Sequence, residues 1–154
     1  MKFDRRHGGR QAALQILYQW EVGRASIEQT LEAYWAVRDE ERAGEEEEVD
    51  RAFAERLARG TVGLVGELDP LIEHAAEHWR LSRMATVDRL ILRLGAYELR
   101  EERDTPSAVI INEALELART FSGEDAVRFI NGVLDNIAKT LRPQPDLRPE
   151  SGHE

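Results

Sequence analysis

The chain has 154 residues, 42% of them apolar and 33% charged, with a net charge of −9. That size suits one domain, or two sub-bundles sharing a core, and the negative balance argues against general nucleic-acid binding. The absence of cysteine excludes disulfides, thiolate metal sites and a cysteine nucleophile, and with no apolar run of membrane-spanning length and no signal-peptide pattern a cytoplasmic protein is expected.

Residues 1–9 read as a basic flexible arm, in which Lys2, Arg5, Arg6 and His7 face Asp4 alone and Gly8-Gly9 loosens the backbone. A single helical domain is expected over 10–142. Arg10 to Val22 is its first helix, with Ala13, Leu14, Ile16, Leu17 and Trp20 inward, and Gly23 suits the position after its end. Ser26 and Gln29 form a capping box for the second helix, whose face is Ile27, Leu31, Tyr34, Trp35 and Arg38. Residues 39–50 carry eight acidic side chains against Arg42 and read as a solvated connection. A third, longer helix runs through Val49, Phe53, Leu57, Leu64 and Leu68. Its Gly60, Gly63 and Gly66 suggest a close helix crossing, since no Gly-Lys-Ser/Thr follows to make a phosphate loop. Asp69-Pro70 reads as an N-cap and first position, so the spacing predicts a new helix from there to about Trp79.

The stretch VDRLILRLGAYELRE, Val87 to Glu101, is apolar over most of its circumference, with only Arg89, Arg93 and Arg100 on its polar strip. Such a helix has neighbours on several sides. Glu98 falls on the apolar face: it either snorkels out at the helix end or is buried, taking backbone N–H bonds or an arginine partner. Pro106 ends one helix and Ser107 caps the next, which buries Ile111, Ala114, Leu115, Ala118 and Phe121 and closes at Gly123. The last helix starts near Glu124 and Asp125, and Ala126, Phe129, Ile130, Val133, Leu134 and Ile137 form its face. Asn131-Gly132 inside it either breaks it or marks tight packing, and packing is the reading adopted. Residues 143–154 read as a disordered tail. No strand pattern is present. The fold class is all-α, about seven helices in two packed sub-bundles.

Catalytic patterns give little. His74-Ala75-Ala76-Glu77-His78 has the H-x-x-E-H order of some zinc enzymes, but no downstream acidic ligand follows and no metal site is assigned. No G-x-S-x-G elbow or dinucleotide fingerprint occurs, so no enzyme and no cofactor are expected. Two basic clusters are more informative. Arg5, Arg6, His7 and Arg10 lead into a helix start, which favours anions, unless they are merely solvated. On the last helix Phe129 sits at the edge of the apolar stripe beside Arg128, where it either joins the core or stacks an unpaired base. The two clusters are expected to meet in space.

RRHGGRQAALQILYQWE, VDRLILRLGAYEL and SAVIINEALELARTFSGEDAVRFINGVLDNIA, in that order, resemble the bacterial transcription antitermination factor NusB family. The resemblance implies an all-helical, two-bundle, non-catalytic protein. It would bind the boxA element of ribosomal RNA leader transcripts jointly with a small-subunit ribosomal protein (NusE), supporting read-through by RNA polymerase. It carries RNA contact to Arg5, Arg6, His7 and Arg10 and to Asp125, Arg128 and Phe129, and partner contact to Tyr18 and Asp88. His7 stands where the family often has Arg. Self-association into a homodimer is left open. A related domain fronts some ribosomal RNA cytosine methyltransferases, but a free adaptor is the expectation here.

Overall fold

The computed structural model describes residues 2–77 and 79–143, with side chains from residue 5 onward. Among the described residues there are seven α-helices, one 3-10 turn and no strand. The helices are α1 (Lys2–Val22), α2 (Ile27–Glu41), α3 (Arg51–Gly63), α4 (Val65–Ala75), α5 (Thr86–Glu101), α6 (Ser107–Phe121) and α7 (Glu124–Leu141); the 3-10 turn is Leu81–Arg83.

Helix α5 is the axis, as its composition requires. Every residue from Leu90 to Leu99 is buried. The helices α1, α2 and α3 form one bundle and α4, α6 and α7 join α5 in the other, so α5 touches α1 and α3 as well as its own bundle. Even its polar strip is covered. Arg93 donates to both carboxylate oxygens of Asp69, at 2.8 and 2.9 Å, and to Glu21 at 3.2 Å. Arg89 reaches Glu21 and the carbonyl oxygens of Leu81 and Met84.

Side-chain contacts fix the helix directions. Near its start α1 meets the end of α5 through Arg10 and Glu98, and near its own end it meets the start of α5 through Glu21 and Arg89. The two helices are therefore antiparallel. Helix α7 runs parallel to α5. Its first turn lies by Asp88, while the residue after it, Arg142, donates to the carbonyl oxygens of Glu98, Leu99, Glu102 and Thr105. That guanidinium satisfies the carbonyls a helix end otherwise leaves open.

Several expectations change. Residues 2–9 are not an arm: α1 begins at Lys2. Gly8 and Gly9 bring this turn against the chain at 48–54. A Cβ on Gly8 would lie 2.9 Å from the Glu48 carbonyl oxygen, and one on Gly9 3.0 Å from the Phe53 ring. The helix expected from Val49 starts at Arg51 behind an Asp50 cap and breaks at Leu64. Pro70 is therefore the sixth residue of α4, and Asp69 partners Arg93 instead of capping. Ser107 is the first residue of α6, where its Oγ accepts from Arg142 at 3.3 Å. The buried face of α6 is Ile110, Glu113, Ala114, Leu117 and Ala118, turned from the expected one, so that Phe121 is 37% exposed. Helix α7 runs unbroken through Asn131-Gly132, yet nothing lies within 4 Å of a Cβ at Gly132, so the close-packing reading fails there. The capping box at Ser26 and Gln29 is present, with both hydrogen bonds formed. His78 of the H-x-x-E-H pattern and the tail 144–154 lie outside the described residues.

Candidate functional site

The basic start of the chain is folded into an ion network. Arg10 is 3% exposed and grips the buried carboxylate of Glu98 with three hydrogen bonds of 2.8 to 3.2 Å. Burial pushes the Glu98 carboxyl above its ordinary pKa, against the pull of Arg10. Arg10 is therefore not available to phosphate, which corrects its assignment as an RNA contact. What it does instead is fix the register of α1 on α5.

Around it, the Phe53 ring carries three guanidinium groups, Arg6 at 4.4 Å from the centroid, Arg10 at 5.1 Å and Arg56 at 5.2 Å. Arg56 in turn pairs with both oxygens of Glu102. The hydrogen bond from Arg56 holds the Glu102 carboxyl below its usual range. His7 Nδ1 lies 2.8 Å from Glu113, which also attracts Arg10 at 3.7 Å. Arg5 is exposed and Arg6 is half-buried against Phe53. These two, with the exposed Arg56, are cations at this end that a phosphate can reach.

The second cluster lies at the other end of α5. Asp125, Ala126 and Phe129 of α7 line a recess of ≈ 330 Å³ with Trp79, Arg83, Met84, Ala85 and Asp88. Phe129 is half-buried and packs on the core from its inner side, so it is an edge residue as expected. Arg128 is exposed next to it. The expectation that the two clusters meet is not fulfilled. Arg5 and Arg6 belong to the Glu102 end of α5, and Asp125 and Phe129 to the Asp88 end, so about 20 Å of helix separates them. The reason is topological: α1 runs against α5 while α7 runs with it.

The two residues expected to meet a partner lie on neighbouring recesses. Tyr18 is 44% exposed and lines a largely apolar recess of ≈ 360 Å³ with Leu14, Val87 and Phe121. Asp88, next to Val87, accepts a hydrogen bond of 2.7 Å from Ser122 Oγ, next to Phe121. It also borders the Phe129 recess, so the two surfaces share a wall. Sequence reasoning missed Trp79, which is 55% exposed and meets Phe129 edge-to-face with centroids 6.0 Å apart. The sequence pattern marks it only as the end of a helix. Phe121 was missed too, because a helical stripe does not say where its last turn runs out of neighbours.

Fold and surfaces together define a two-bundle, all-α protein with separate basic and aromatic–acidic faces at the two ends of one buried helix. The chain belongs to the NusB family, whose model matches residues 7–139. It is 45% identical over 144 residues to the transcription antitermination protein NusB of Solibacter usitatus, covering 94% of both chains. To the protein of that name from Myxococcus xanthus it is 41% identical, covering 88% of this chain and 96% of the other. Among solved structures it superposes on T. maritima NusB with a TM-score of 0.75 and 36% identity, covering 89% and 92% of the two chains. A crystal structure of antitermination factors NusB and NusE in complex with dsRNA gives a TM-score of 0.73 at 25% identity, covering 87% and 96%.

Proposed function

We propose that this protein is a transcription antitermination factor that binds boxA RNA of ribosomal RNA leader transcripts together with NusE, a small-subunit ribosomal protein, and supports read-through by RNA polymerase. It acts in the cytoplasm as a non-catalytic adaptor. The observation that carries this is membership of the NusB family over nearly the whole chain. No helix among the described residues is long and apolar enough to cross a membrane.

The exposure of Arg5 and of Arg128 supports the following contacts. RNA enters at Arg5 and Arg6, with His7 beside them, and runs to Arg128, Phe129 and Asp125 at the other end of α5. The partner docks on Tyr18 and Asp88, beside the RNA's anchoring point at Phe129. On a chain of net charge −9 whose basic end is largely neutralised by its own carboxylates, RNA alone is held weakly. A basic partner against Asp88 extends the positive surface and steers the encounter. Titrating labelled boxA RNA in a gel-shift assay, with and without NusE, tests this: affinity rises strongly with the partner present, and equal affinities refute it.

Two substitutions refine the aromatic end. Phe129→Ala weakens RNA binding by about 1–3 kcal/mol if its ring stacks a base. The circular dichroism spectrum stays unchanged, because the ring is only partly in the core. Asp125→Asn removes a negative charge beside the RNA track and tightens binding by up to about 1 kcal/mol. Weaker binding by this variant contradicts that placement.

A further inference from the structure

We propose that Trp79 and Phe129 form a two-ring seat for one unstacked RNA base, and that Asp125 at its rim selects cytosine, through its 4-amino group, over uracil. The inference rests on the RNA-binding reading above and adds to it a residue and a chemical preference.

The Trp79 indole keeps more than half its surface in water, the largest of the side chains this protein leaves exposed and apolar. The local backbone holds it there. Helix α4 ends at Ala75, Glu77 takes a left-handed conformation with φ 60°, and the Trp79 N–H donates to the Ala76 carbonyl at 3.3 Å. This sharp reversal sets the indole against α7 instead of letting it trail into solvent. The two rings lie at 68° to each other. A flat base therefore stacks on the face of one while the other meets its edge, both favourable aromatic geometries. The recess is about the size of the smallest ligand pockets, and Met84, Ala85 and Ala126 make its apolar lining.

Its polar rim supplies the selectivity. Asp88 is half-buried and already accepts from Ser122 Oγ, whereas Asp125 is exposed at the rim and is the carboxylate assigned to the ligand. An ionised carboxylate only accepts hydrogen bonds. Cytosine presents an amino group at N4, whereas uracil presents an oxygen at the equivalent position and is repelled. Arg83, exposed at the same rim, is placed to meet the attached phosphate. The same carboxylate thus lowers overall affinity for a polyanion and sharpens the choice of base. Asp125→Asn tightens binding while losing part of that choice, because an amide both donates and accepts.

The test uses the whole protein with NusE and a labelled single-stranded boxA RNA, plus copies in which each cytosine is changed in turn to uracil. Wild-type binding comes first: its absence would sink the RNA-binding reading itself. Given wild-type binding, Trp79→Leu, which keeps apolar bulk and loses the stacking face, weakens it about tenfold or more. Trp79→Phe stays within about threefold of wild type. One cytosine-to-uracil change is penalised in the wild type and no longer penalised in Asp125→Ala. Unchanged RNA affinity in Trp79→Leu overturns the seat. So does a loss confined to NusE binding in the absence of RNA, which would assign the patch to the protein partner.

Discussion

Replacing Arg10 by Ala lowers the stability of the fold by about 3–5 kcal/mol, the usual consequence of stranding one member of a buried ion pair. Glu98 is 2% exposed and has no other cation within hydrogen-bonding distance among the described residues. Without the guanidinium its charge loses the hydrogen bonds that offset desolvation, so its pKa in the folded protein rises further above the value in the unfolded chain, about 4.3. A carboxyl whose folded pKa is the higher one binds more protons folded than unfolded. Its contribution to stability is therefore fully present below the unfolded pKa and is lost as pH climbs through the folded one. The deficit of Arg10→Ala relative to wild type is accordingly larger at pH 8 than at pH 5. Urea titrations at both pH values measure it. The double variant Arg10→Met/Glu98→Leu recovers most of the loss, since apolar groups of similar size replace buried pairs with little penalty. A deficit independent of pH would show that Glu98 is not the stranded group.

The second large effect is at the crossing of α3 and α5. A Cβ on Gly60 would fall 2.2 Å from Cζ of Tyr97, so the ring or the helix must move. Tyr97 is 7% exposed and has little room to swing. Gly60→Ala therefore costs about 1–3 kcal/mol by overpacking, and Gly60→Val more, although Ala in place of Gly inside a helix would otherwise gain up to about 1 kcal/mol. Gly63 lies one turn on in the same helix with nothing within 4 Å of its Cβ position. Gly63→Ala should raise the melting temperature slightly while Gly60→Ala lowers it. Equal behaviour of the two would mean that backbone entropy, not the ring contact, governs this crossing.

These cases show how far the sequence could be read. The periodicity of α5 identified the central helix, and Glu98 stood out as an ionisable residue on an apolar face. The identity of its partner did not, because Arg10 is 88 positions away and helical periodicity places a residue only on its own helix. The same limit explains the separated clusters. Arg6 and Phe129 were each recognisable as surface groups, but whether they share an end depends on α1 and α7 taking opposite directions along α5. The three glycines of 60, 63 and 66 were right as a crossing and wrong in number, since only Gly60 meets a ring. Gly132 has the same sequence signature and no neighbour. Trp79 went unread because its position follows from a left-handed Glu77, a conformation that composition does not favour at that residue.

The carbonyl oxygens closed by Arg142 impose an order on biogenesis. A chain emerging from the ribosome completes α1 to α5 some forty residues before the guanidinium that finishes α5 exists. N-terminal segments ordinarily acquire structure first during synthesis, but here the last turn of α5 waits for Arg142, beyond the end of α7. Early release or truncation ahead of position 142 thus leaves the principal helix frayed at the end where Glu98 and Arg10 must find each other.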